Sequence, residues 1–224
     1  GTRTASRPTF ERVQTVLDKV AALGYSTDEL LDDFVAMSSL FATEFAEELV
    51  FKVEDAIIEG DGDGKPLGIL NAPCLVTQAK ETGQAAATFT SGNISNMWNR
   101  LPEPSEANAV WLINQELEPQ LDVLSIPAGL AALEPRYVTY GPDGVLRIKG
   151  RPVIPLEYCS ALGDLGDIIL ADLTQYRLIR KGGVQQAQSM HVAFVTDEMA
   201  FRAVYRVGGQ PRWRSPLTPF KATS

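Results

Sequence analysis

Residues 26–70 read STDELLDDFVAMSSLFATEFAEELVFKVEDAIIEGDGDGKPLGIL, and the fold turns on this stretch. Leu30, Phe34, Met37, Phe41, Phe45, Leu49, Val53 and Ile57 recur at steps of three or four residues, which puts them on one stripe of a helix. The spacing predicts a single helix over 26–59. Ser26 and Glu29 have the form of a capping box, and Asp28, Glu29, Asp32 and Asp33 crowd the positive end of the helix dipole. Gly60 supplies the stop. At ~1.5 Å rise per residue the helix would run roughly 50 Å, more than a compact domain needs and suited to a spine.

The segment after it, Gly60-Asp61-Gly62-Asp63-Gly64-Lys65-Pro66, must be a tight loop, because its glycines permit positive φ and its proline prevents continued helix. It is also the best candidate for a chemical site. Carboxylates on a glycine-rich loop could hold a hard cation, and Gly-Lys resembles a phosphate cradle. Neither pattern is complete. The twelfth position of a calcium loop, which needs Glu, falls on Leu70 when counted from Glu59 and on Ala72 from Asp61. For a phosphate loop Gly60 and Gly64 stand one residue too close, and Pro66 replaces the magnesium-binding hydroxyl. A conformational role for Gly60, Asp61, Gly62, Asp63 and Gly64 is therefore preferred.

Upstream, Phe10, Val13, Val16, Leu17, Val20 and Leu23 fit either a helix or a twisted extended segment. The opening Gly-Thr-Arg-Thr, with no initiator Met, reads as the start of a piece trimmed from something longer. Downstream, residues 88–100 read as a turn entering a helix capped near Ser91 or Asn93, and 109–114 as a buried strand. Gln115 to Leu124 reads as a short helix interrupted by Pro119, and Tyr140 to Gly144 as a turn. Extended segments are expected at 151–155, 167–173 and 176–180. Residues 190–195 and 201–207 alternate as antiparallel strands, followed by a Gly208-Gly209 turn.

The chain has 224 residues, 45% hydrophobic and 21% charged, with a formal charge of −8. That balance excludes a generally basic nucleic-acid binder. No apolar run reaches the roughly 20 residues that span a bilayer, and Gly1 to Arg12 lacks a signal-peptide core, so a soluble protein that stays where it is made is expected. Cys74 and Cys159 cannot build a disulfide framework, and with His191 the only histidine a His-rich metal site is impossible. Charge is uneven: residues 26–63 carry one basic and twelve acidic side chains, and 176–224 eight and two. Asp32, Asp33, Glu47 and Glu48 on one side and Arg202, Arg206, Arg212 and Arg214 on the other are candidates for pairing between subunits.

Taken together, the 26–33 and 54–70 segments, Trp111-Leu-Ile-Asn114, Gly150-Arg-Pro-Val-Ile-Pro155, Gly166 to Asp172, His191-Val-Ala-Phe194 and Arg206 to Pro211 follow a familiar order. The sequence resembles the tailed-phage major capsid proteins of the Hong Kong 97 fold over most of its length. The resemblance implies an α+β subunit in two parts. A peripheral domain, 1–64 and 174–224, would hold the spine helix and a long antiparallel sheet, and an inserted mixed α/β axial domain, 65–173, would reach the symmetry axes. It implies a structural, non-enzymatic role in an icosahedral shell around double-stranded DNA, built from pentamers and hexamers, without cofactor or metal. Implied partners are copies of the same chain, with scaffold, maturation protease and portal. DNA would be held only by weak non-specific contact, with no membrane, and the location would be the virion capsid, assembled in the bacterial host cytoplasm.

Family members carry an N-terminal arm and an extended loop ahead of the spine helix. Only about 25 residues precede Ser26 here, and Ser6 to Gln14 resembles the returning strand of that loop alone, so no crosslinking residue is carried over. Two alternatives remain at this stage. One is an encapsulin-type nanocompartment shell, marked by a cargo groove against the spine helix. The other is a small metal-dependent hydrolase using the Asp61/Asp63 loop.

Overall fold

The computed structural model describes residues 14–27, 37–125, 137–193 and 198–215. In chain order the elements are β1 (Asp18–Thr27), α1 (Met37–Glu59), α2 (Ser91–Asn99), α3 (Glu103–Glu106), β2 (Val110–Ile113), α4 (Glu118–Ser125), β3 (Val138–Tyr140), β4 (Leu146–Ile148), β5 (Arg151–Pro155), β6 (Ile168–Ala171), β7 (Tyr176–Arg180), β8 (Gln185–Ala193) and β9 (Glu198–Pro211). Two sheets result, and α1, about 34 Å long at ~1.5 Å per residue, packs against both.

The first sheet is built on β9, antiparallel to β1 along one edge and to β7 and then β8 along the other. Alternation along β9 gives the sheet two different faces. Phe201 stacks on Phe41 of α1 with ring centroids 5.0 Å apart, and a Cβ at Gly24, its partner on β1, would lie 2.7 Å from the Phe45 ring. Phe201, Ala203 and Val207 therefore point at the helix and are buried. Arg202 and Arg206 point the other way and are exposed.

The second sheet has the order β3-β4-β5-β2-β6, with β2 and β5 parallel and the other pairs antiparallel. Trp111, Ile113, Leu117, Leu121, Val138 and Ile148 form its core, each at most 1% exposed, and the Trp111 indole donates to the Ile148 carbonyl at 3.2 Å. A second cluster, Ile58, Leu112, Cys159 and Ile169, joins the end of α1 to the other face of β2 and β6. Phe51 meets Tyr158 edge-on, and the Tyr158 hydroxyl donates to Glu54 at 2.9 Å. Among the described residues, no helix is long and apolar enough to cross a membrane.

Four expectations need correction. The helix does not begin at Ser26: Ser26 and Thr27 are strand, paired with Met199 and Glu198, and among the described residues the buried Ser26 hydroxyl makes no hydrogen bond. Sheet pairing overrides the local capping pattern there; Glu29, Asp32 and Asp33 lie outside the described residues. Gly208-Gly209 is not a turn, because β9 runs straight through it. Its glycines admit close neighbours, since a Cβ at Gly208 would collide with the Val16 carbonyl and one at Gly209 would come within 2.6 Å of the Tyr176 hydroxyl. Pro119 does not interrupt a helix but sits in the first turn of α4, where its missing N–H costs nothing. The N-cap of α2 is Thr90, one residue earlier than expected, and its amide donates to the Asn93 side chain at 3.0 Å. The ambiguous early segment is extended from Asp18.

Candidate functional site

The glycine-rich loop closes the end of α1. A helix leaves its last four carbonyls without intrahelical donors, and here the chain folds back to supply donors from outside. Ile69 N–H donates to Ile57 O at 2.9 Å, Leu70 N–H to Ile58 O at 3.0 Å, the Asn71 amide to Glu59 O at 2.8 Å and Gly68 N–H to Gly60 O at 2.8 Å. The loop is tied to the first sheet as well. Leu67 N–H donates to Gly209 O at 2.8 Å, and its carbonyl accepts from the Tyr176 hydroxyl at 2.9 Å.

Backbone packing in this knot leaves no room for side chains at two positions. A Cβ at Gly60 would strike the Pro66 and Ala56 carbonyls, and one at Gly68 would lie 2.5 Å from Gly60 N and 2.6 Å from Ile58 O. Gly62 and Gly64 have φ of 81° and 68° and stand at the exposed tip. The two aspartates point to solvent. Asp61 accepts from Asp63 N–H at 3.1 Å and pairs with Lys65 at 3.6 Å; the Asp63 amide, and less strongly the Lys65 ammonium, hold its carboxyl below the ordinary value. Among the described residues no three His, Cys, Asp or Glu side chains converge as a metal site.

A groove of about 300 Å³ beside β6 and β7 is the other place where chemistry could sit, but its walls are largely apolar, with Leu70, Met97, Ile168 and Trp213 among them. Two of the three carboxylates that line it, Asp167 and Asp172, take backbone donors. Asp167 accepts from Gly163 and Ile168 N–H, and Asp172 from Thr174 N–H at the start of a short 3₁₀ turn.

The charged candidates do not form a single cluster. Glu47 and Glu48 are exposed on α1, and Glu48 pairs with Lys52 at 3.6 Å within the helix. Arg202 and Arg206 lie on the far side of the sheet from α1. Arg212 and Arg214 follow the end of β9, roughly 30 Å along the strand from Arg202 at ~3.3 Å per residue. The acidic helix and the basic strand therefore do not meet within one subunit at Glu47, Glu48, Arg202 and Arg206. Sequence reasoning missed Asn71, Tyr176 and Gly209 as anchors of the loop. Tyr176 stands 109 residues from the carbonyl it holds, a distance that local spacing does not register.

A sequence profile of the phage capsid family matches residues 1–222. The chain belongs to the phage capsid family. No curated protein matches it in sequence. Among solved structures it is similar to the capsid of an empty GTA particle computed with C5 symmetry, at 21% identity over 95% of this chain and 77% of that one, TM-score 0.68. The capsid of a native GTA particle aligns at 21% identity over 90% and 71% of the two chains, TM-score 0.69. A Microbacterium phage Oxtober96 chain aligns at 17% identity over 92% and 71%, TM-score 0.61. At these identities the likeness establishes the fold, which is the Hong Kong 97 capsid type. As a member of this family the protein is a structural subunit of a capsid shell, and neither alternative function finds support.

Proposed function

We propose that copies of this chain assemble, through pentamers and hexamers, into a closed icosahedral shell around double-stranded DNA in the bacterial host cytoplasm. The reading assigns 1–64 and 174–224 to a peripheral domain and 65–173 to an axial domain that meets its neighbours at the symmetry axes. Scaffold, maturation protease and portal are the further partners it carries, and it requires no catalytic step.

One observation carries it. Two separate sheets hang on one helix whose end is locked by backbone hydrogen bonds from residues 68–70. This joins the two sheets into one unit able to repeat the same contacts many times, as a symmetric assembly demands. The capsids it resembles include particles with five-fold symmetry, which supports association into capsomers. The test is light scattering with negative-stain microscopy across protein and salt concentration. Closed shells, or rings of five or six, are expected; a strict monomer at every protein and salt concentration would refute the reading.

A further inference from the structure

The outward face of the first sheet is poorly matched to water. Across β1 and β9 the facing pairs are Lys19–Arg206, Ala21–Val204, Leu23–Arg202 and Tyr25–Ala200. Leu23 is 58% and Tyr25 51% exposed. Lys19 and Arg206 are like charges placed directly opposite, an arrangement that destabilises a strand pair unless an anion lies over it. Among the described residues no carboxylate lies within ion-pair distance of Lys19, Arg202 or Arg206.

The other side of the same unit has the complementary character. Leu40, Glu44, Glu47 and Phe51 follow one another at helical spacing along the outward stripe of α1, flanked by Glu48 and Val50. Leu40 is 51% and Val50 57% exposed. One face interleaves cations with apolar side chains, the other carboxylates with apolar side chains, and α1 and the sheet separate them.

We infer that the outward sheet face, through Lys19, Leu23, Tyr25, Arg202 and Arg206, docks on the acidic outward stripe of α1 in a second copy of this chain. This rests on the shell reading above and names one of its contacts. The apolar content favours a protein over DNA as the occupant, because a phosphate backbone would neutralise the cations but leave Leu23 and Tyr25 wet. The two patches differ and lie on opposite sides of the subunit, so the contact is heterologous and propagates from copy to copy instead of closing as a two-fold dimer.

The test uses the full chain and two charge-reversed variants, Arg202→Glu with Arg206→Glu and Glu47→Lys with Glu48→Lys, studied by sedimentation velocity alone and mixed. Each variant alone is expected to associate at least about tenfold more weakly than the parent. The equimolar mixture should regain association, since each reversed face then meets a complementary one. Circular dichroism melts check folding, and Arg202→Gln with Arg206→Gln replaces the first variant should it fail to fold. If the parent assembles and both variants assemble equally well, the docking inference is wrong while the shell reading stands. If instead the arginine variant assembles normally but loses salt-sensitive retention of duplex DNA, the face serves a polyanion and the inference is also wrong. A parent that never associates at any protein or salt concentration removes both.

Discussion

Glycine positions in the α1 exit loop differ in what they permit. Gly60 and Gly68 are pressed against backbone, whereas Gly64 faces open space. Gly60→Ala and Gly68→Ala are each expected to cost about 1–3 kcal/mol in urea denaturation, because the neighbours to be displaced are carbonyls and amides of the same knot. Gly64→Ala should cost only the positive φ, on the order of 1 kcal/mol. Asp61→Ala and Asp63→Ala should leave the urea midpoint essentially unchanged, since both side chains are exposed. Neither should alter the effect of calcium or magnesium on the melting temperature; a metal-linked rise in the parent, abolished by Asp61→Ala, would contradict the structural role of this loop. Tyr176 carries a pH signature. Burial pushes its phenol from 10.0 up to about 12, so the unfolded chain ionises first, and the stability this contributes is complete below pH 10 and lost as pH climbs toward 12. Tyr176→Phe should lose about 1 kcal/mol at neutral pH with the Leu67 hydrogen bond and show a shallower alkaline decline than the parent. The difference between the two is the readout, because Tyr158, also pushed up to about 12, declines in both.

At the scale of elements, α1 divides cleanly into a packed and an open side. Leu49 is 2% exposed and Val50, its neighbour, 57%. Leu49→Ala is expected to cost about 2–5 kcal/mol in equilibrium denaturation, and Val50→Ala less than about 0.5 kcal/mol. The stripe Phe41, Phe45, Leu49 and Val53 was legible in the sequence because helical periodicity is a local property. The strands at 151–155 and 176–180 were legible for a similar reason. The start of the helix was not, because Ser26 is drawn into β1 by a partner 173 residues away, Met199. Gly208-Gly209 misled for the opposite reason: a glycine pair signals a turn, but close approach of another backbone demands glycine equally.

For the whole molecule, the shared spine helix couples the two sheets. Ile58 packs with Leu112, Cys159 and Ile169 at one end of α1, while Phe41 stacks on Phe201 toward the other. Unfolding should therefore be one cooperative transition. Fluorescence of Trp98, Trp111 and Trp213, of which Trp111 is fully buried, and far-UV circular dichroism should give coincident urea curves; separated midpoints would mean that the sheets unfold independently. Assembly should be sensitive to salt, because charges between exposed faces are screened beyond about 10 Å at 0.1 M. The weight-average mass at fixed protein concentration is expected to fall as salt rises.

The sequence by itself determined the spine helix stripe, the need for a shaped loop after it, the strands on either side and the segregation of acid to one segment and base to another. These follow from spacing and composition within a few residues. It also carried enough of the family pattern to indicate a shell subunit. Only the tertiary structure decided that Ser26 is strand, that Asn71, Tyr176 and Gly209 hold the exit loop, and that Glu47 and Glu48 are on the opposite side of the sheet from Arg202 and Arg206. Each depends on which distant backbone lies alongside, and on the alternation of side chains that strand pairing imposes. Residue order within a single segment carries no record of either.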